Sequence, residues 1–193
     1  METVSVGVPV FKSKIKEHDQ LKKSVLNAMD NSKDGYLKDF DTKDDLIHKL
    51  DYDNSADFNR PWVKIIGNSV QKELNNMATS VGYIRALVHN IWYQSYNQDG
   101  RHGWHTHGSN YTGVYYLNFK KDKHPKTDIK LPLVRNEQFF LDVEEGDIIA
   151  FPSFFKHRAP KNNYHLTKTI ISFNFDLLIP KSANTIGVSL CFL

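Results

Sequence analysis

The residues of this chain best suited to chemistry lie in GRHGWHTHGSNYTGVYYLNF, residues 100–119, where three of nine histidines fall within six positions. Residues two apart in an extended segment project to one side, so His105 and His107 present two imidazoles from one element. His102 is expected to point elsewhere or to sit in the turn. Two imidazoles from a rigid element, joined by a third ligand from a distant strand, close one face of a transition metal. The candidate third ligand is His157, in FPSFFKHRAPKN. Taken alone, a His-x-His pair is more often surface polarity than a metal site. The order here is more specific: His-x-His, a hairpin's worth of strands, EEGDIIAFPSFFKH, then a strand that begins with a cation. That cation is Lys168. Lys168, Ile170, Ser172 and Asn174 share one face of the following strand, a mixed face suited to holding a carboxylate by charge-assisted hydrogen bonds.

The elements that must position these groups change character near Gly82. Before it, EHDQLKKSVLNAMDN sets Leu21, Val25 and Met29 four apart, and RPWVKIIGNSVQKELNNMATSVG sets Ile66, Val70, Leu74 and Met77 on one stripe behind Pro61. Both patterns predict amphipathic helices. The polar, Asp- and Asn-rich segment between them predicts a long loop with one short helical turn. After Gly82, YIRALVHNIWYQSY, NYTGVYYLNF, TDIKLPL, EQFFLDV, GDIIAFP and KTIISFNFDLLI are rich in β-branched and aromatic residues and separated by turn residues. This is the pattern of an antiparallel sandwich or barrel. The run KKDKHPK at 120–126 predicts a solvated hairpin loop.

The totals bound the reading. With 193 residues, 40% of them hydrophobic and 24% charged, the chain is expected to form one domain: a helical support region at 1–82, a β core at 83–180 and a tail at 181–193. A formal charge of +3 does not indicate nucleic-acid binding. Cys191 is the single cysteine, which excludes a disulfide framework and a cysteine-based zinc site. The N-terminal segment has no signal-peptide pattern and no apolar run approaches a membrane span, so a cytoplasmic location without a membrane partner is expected.

From about residue 84 to 176 the chain resembles the 2-oxoglutarate- and Fe(II)-dependent oxygenases. The similarity rests on HTHGSNYTGVYYL, GDIIAFPSFFKHRAPKN and KTIISFNF, which look most like a group of oxygenases with an H-x-H…H pattern. YYLN after the metal motif, with a tyrosine about ten residues before it, is also similar to prolyl-hydroxylase-like members. The resemblance implies a mainly β fold with N-terminal helices, in which a double-stranded β-helix (jelly-roll, cupin-like) core is buttressed by α-helices. It implies Fe(II), 2-oxoglutarate and O2 as cofactors. By position, His105, His107 and His157 would be the metal ligands, and Lys168 would match the basic residue for the distal carboxylate of 2-oxoglutarate. Tyr116 would help hold that cosubstrate, Val114 would wall the pocket, and Tyr96 would line the site. Asn118 and Asn174 are placed in the pocket by strand parity alone. Trp104, Arg101 and His102 sit where a substrate would approach the metal.

Two positions depart from the superfamily's usual pattern. His107 stands where an Asp or Glu is usual, which leaves a bound iron one unit more positive. Lys168 stands where the subgroup has Arg, keeping the charge but giving up bidentate geometry. The implied reaction is hydroxylation of a C–H bond with release of succinate and CO2. The substrate is open among a peptide side chain, a small metabolite and a nucleobase. Two other classes fit the histidines: a three-histidine cupin-like dioxygenase that does not use 2-oxoglutarate, and a non-catalytic jelly-roll binding module.

Overall fold

A computed structural model describes residues 7–32, 43–132 and 137–179; the tail at 181–193, with Cys191, lies outside them. Among the described residues, ten strands form two antiparallel sheets, with two helices against one of them. In chain order the elements are β1 (Phe11–Lys14), α1 (His18–Asp30), β2 (Lys49–Leu50), a 3₁₀ turn (Tyr52–Asn54), α2 (Pro61–Ser80), β3 (Arg85–Tyr96), β4 (His102–His105), β5 (Tyr111–Asn118), β6 (Asp128–Lys130), β7 (Gln138–Phe139), β8 (Asp147–Pro152), β9 (His157–Ala159) and β10 (Lys168–Leu178). The major sheet runs β1-β8-β5-β10-β3-β2 and the minor sheet β4-β9-β6-β7.

The alternation of side chains along the central strands divides the interior into two cores. Tyr111, Tyr115 and Leu117 of β5, Ile148 and Ala150 of β8, and Ile171, Phe173 and Phe175 of β10 face the helices. There they meet Val25 and Met29 of α1 and Trp62, Ile66, Val70, Leu74 and Met77 of α2, the apolar stripes read from sequence. The alternate residues, among them Val114, Tyr116, Ile149, Phe151 and Ile170, face the minor sheet and form the second core with Ile129 of β6, Ala159 of β9, and Ile47 and Leu50. The central strands are thus buried on both faces, which accounts for their near-continuous apolar runs. Both helices matched their expected positions. No helix among the described residues is long and apolar enough to cross a membrane.

Three strands went unforeseen. β1 and β2 precede Gly82 yet form the two edges of the major sheet, β1 pairing Phe11 with Ala150 and β2 pairing Leu50 with Gln94. They have four and two residues, too few to show a period. The three-residue β9 begins at His157, which was expected only to follow a strand.

The lysine-rich loop at 120–126 is anchored rather than freely solvated. Lys121 and Lys126 pair with Asp142, His124 is buried with its Nδ1 accepting from the Lys120 N–H, and the Pro125 carbonyl faces inward to Lys168.

Candidate metal centre

β4 and β9 lie side by side with His105 opposite His157, so two of the three imidazoles are register partners. His107 lies past the end of β4. It converges on them because its backbone N–H donates to the Ser153 carbonyl and the loop is tied by the Ser109–Ser153 hydroxyl pair at 2.9 Å. One ring nitrogen from each of His105, His107 and His157 falls within 4.8 Å of the others. Ring centroids are 4.3 Å apart for His105–His157 and 5.0 Å for His107–His157.

Tautomers follow from the backbone. His105 Nδ1 lies 2.8 Å from the Gly103 carbonyl and His157 Nδ1 lies 3.0 Å from the Phe155 carbonyl. A carbonyl only accepts, so both Nδ1 atoms carry the proton and both Nε2 atoms keep a lone pair. The Nε2 atoms of His107 and His157 face each other at 3.2 Å. Two imidazole nitrogens each about 2.1 Å from one metal, roughly 90° apart, would lie about 3.0 Å from each other. Burial, as the leading cause, pushes the His157 pKa down to about 2 and that of His107 down to about 4, with that of His105 also lowered. Neutral imidazole is the form that ligates. The donor set therefore fits a divalent transition metal.

His102 does not point away as expected. A register irregularity between His102 and His105 brings their rings into a stack at 3.9 Å and 22°. Asp45 stands behind, its Oδ1 accepting from the Gly103 N–H at 2.8 Å and lying 3.8 Å from His102 Nε2.

Behind the triad a small cavity runs between the sheets, lined by Trp92, Gln94, Tyr96, Val114, Thr127, Ile170, Ser172 and the four histidines. Lys168 does not line this cavity; it is 1% exposed, and its ammonium lies 5.8 Å from the ring of Tyr96, a cavity wall, and 5.9 Å from the Tyr116 ring. Lys168 donates to the Pro125 carbonyl at 2.6 Å. Burial drops its pKa to about 7, against a smaller upward pull from Asp128. Tyr116 Oη donates to Thr127 Oγ1 at 2.9 Å, and burial pushes its pKa up to about 12. Tyr96 Oη donates to Gln94 at 2.8 Å. The cavity holds about 20 Å³, room for a water but not for a five-carbon dicarboxylate. Such a ligand enters only if the surrounding side chains shift, while two of the three Lys168 ammonium protons remain for it beside the bond to Pro125.

Other expected site residues fall differently. Asn118 is on the opposite face: between Thr169 and Ile170 the β5 pairing jumps from Asn118 to Tyr116, a bulge that reverses parity. Its amide donates to the Thr167 carbonyl, and it lines a separate cavity with Tyr93, Ser95 and Thr169. Asn174 is on the inner strand face, 7% exposed, with a buried Oδ1 that has no hydrogen-bond partner among the described residues. Arg101 binds the carbonyls of Asp99 and Lys43 and anchors the 43–46 segment. The Lys130 ammonium lies over the Trp104 ring at 4.5 Å and the Arg158 guanidinium lies over it at 4.7 Å. Neither Arg101 nor Trp104 lines the cavity, whereas Arg158, unassigned from sequence, does. Asn162 was also missed. It is fully buried and its amide donates to the carbonyls of Tyr96, Asn97 and Leu166, tying the segment before Lys168 to the end of β3. Its position five residues after His157, at the end of HRAPKN, was the available signal.

No family model matches the chain, and no curated protein matches it. Solved structures do. A prolyl-4-hydroxylase from Pseudomonas putida covers 87% of this chain and 92% of its own, with a TM-score of 0.62 and 10% identity. A viral collagen prolyl hydroxylase from Paramecium bursaria Chlorella virus-1, in a 2-oxoglutarate complex, covers 86% and 94%, with a TM-score of 0.59 and 12% identity. A prolyl hydroxylase from Trichoplax adhaerens, bound to a hypoxia-inducible-factor peptide fragment, covers 86% and 82%, with a TM-score of 0.60 and 14% identity. At these identities the likeness concerns the fold.

Proposed function

We propose, from a fold similar to that of the 2-oxoglutarate- and Fe(II)-dependent oxygenases, that this chain is a dioxygenase which hydroxylates a C–H bond of its substrate, converting 2-oxoglutarate and O2 to succinate and CO2. The observation that supports this reading is three converging imidazoles beside a cavity walled by Tyr96, with the buried Lys168 ammonium packed 5.8 Å from that ring.

His105, His107 and His157 would hold Fe(II), which supplies the O2 chemistry that side chains lack. His105 and His157 are oriented for this by the carbonyls behind their Nδ1 protons. Lys168 would bind the distal carboxylate of 2-oxoglutarate, adding a charged acceptor beside the Pro125 carbonyl. Tyr116, held by Thr127, and Tyr96, held by Gln94, would flank the cosubstrate, with Val114 as an apolar wall. Phe151, whose ring lies 4.8 Å from that of His157, and Trp92, 5.7 Å from His107, would keep water from the centre.

The test is succinate formation by anaerobically prepared protein given Fe(II) and 2-oxoglutarate, then O2. Wild type is expected to form succinate, while His157→Ala and Lys168→Ala are not. Succinate that persists in His157→Ala would remove that ligand. Fe(II) binding that needs the three histidines, with no succinate from wild type and no effect of Lys168→Ala, would favour the three-histidine dioxygenase that does not use 2-oxoglutarate.

A further inference from the structure

A second opening reaches the triad from outside the inter-sheet cavity. It is a groove of about 270 Å³ whose floor includes His102, His105 and His107, and whose walls are Ile47, Leu50, Tyr52, Trp92 and Asp53. The Tyr52 and Trp92 rings meet edge to face at 5.0 Å and 90°, fixing one wall, while Ile47 and Leu50 supply aliphatic surface. The volume is just below the usual range for whole small-molecule ligands, about 300–1,000 Å³, so it suits a single side chain. Charge narrows the choice. The lining contains no Lys or Arg, and Asp53 is its one carboxylate. Asp53 is exposed and makes no ion pair among the described residues. An anionic ligand would meet this carboxylate uncompensated, whereas a cation would gain both the carboxylate and the aromatic faces.

We propose that this groove receives an aliphatic cationic side chain, that of a peptidyl lysine, with its methylenes against Ile47 and Leu50 and its ammonium toward Asp53 and the Tyr52–Trp92 pair. The proposal rests on the reading of the triad as a metal centre, because it places that chain beside His107 as the substrate. The groove and the cosubstrate cavity share Trp92, Gln94 and the three histidines of the 102–107 segment. The two spaces therefore adjoin at these histidines, which would bring substrate and cosubstrate to one centre.

The experiment uses the full-length chain and three blocked heptapeptides, identical except for a central lysine, norleucine or glutamate, with binding followed by calorimetry. The lysine peptide is expected to bind more tightly than norleucine, and glutamate more weakly than either. Asp53→Asn is expected to erase the preference for lysine over norleucine, a change of about two- to fivefold for a solvent-facing ion pair. Asp53→Lys is expected to reverse it. Equal affinity for all three peptides, no binding by any of them, or tighter binding of a single-stranded oligonucleotide would overturn the proposal. A metal titration run in parallel reports on the triad independently. Intact metal binding with no lysine preference would discard the groove assignment alone, and lost metal binding would discard the centre on which it rests.

Discussion

At the scale of single residues, the Nε2 atoms of His107 and His157 meet at 3.2 Å, a separation that an N–H···N hydrogen bond between neutral rings satisfies and that two ligands of one metal also match. The depressed pKa values of both rings, caused first by burial, keep them in the neutral form that ligates. His107→Asp restores the carboxylate usual in such centres and is expected to keep metal binding, measured by Co(II) absorption. Loss of binding in that variant would show that the loop accepts only an imidazole. Lys168 yields a pH prediction. Its pKa in the folded protein, about 7, lies below the ordinary lysine value of 10.5. Between those values the unfolded chain binds the extra proton, so unfolding free energy rises with pH across that window, and the cost of the buried charge is complete below about pH 7. Lys168→Met should therefore stabilise the protein at pH 6, by roughly 1–4 kcal/mol on the precedent of buried ionic groups replaced by apolar ones. It should also flatten this rise, measured by urea unfolding at pH 6 and 9. For the same reason, 2-oxoglutarate affinity in wild type should weaken as pH rises from 6 to 8, because binding needs the ammonium form; a flat profile by calorimetry would contradict it.

At the scale of elements, close packing and irregularities in the strands set the site. Gly113, in the middle of β5, allows the Phe173 ring and the Ile149 carbonyl to approach where a Cβ would lie 2.2 and 2.6 Å from them. Gly113→Ala is expected to cost about 1–3 kcal/mol by overpacking, read as a lower urea midpoint with an unchanged slope. Asp51 clamps the 3₁₀ turn to the sheet. Its Oδ1 accepts from the Tyr93 N–H at 2.8 Å, and its Oδ2 accepts from Trp62 Nε1 at 2.9 Å and from the Arg60 guanidinium, itself bonded to the Ile91 carbonyl. Burial raises the Asp51 pKa while these donors pull it down. Asp51→Ala leaves Arg60 buried without its partner and is expected to cost about 3–5 kcal/mol. Because Tyr52 follows directly, the same change should loosen the groove wall, measurable as faster amide exchange at 52–55.

At the scale of the whole molecule, what the sequence showed depended on periodicity and spacing. The helices announced themselves through stripes such as Ile66, Val70, Leu74 and Met77, and the inner face of β10 through the mixed set Lys168, Ile170, Ser172 and Asn174. Parity misled wherever the pairing slipped: Asn118 was turned outward by the β5 bulge, and His102 was brought onto His105 by the irregularity in β4. Short edge strands gave no period to read, and the loop contacts that aim His107 depend on Ser153, which is distant in sequence and visible only in three dimensions. The proposed metal centre joins His105 and His107 to His157, which follows His107 by fifty residues. An anaerobic equilibrium titration with Fe(II), on wild type and on the His105→Ala, His107→Ala and His157→Ala variants, tests it most directly. One ion per chain in wild type, with tight binding lost in every variant, is the expected result. Wild-type affinity retained in any of the three would contradict it.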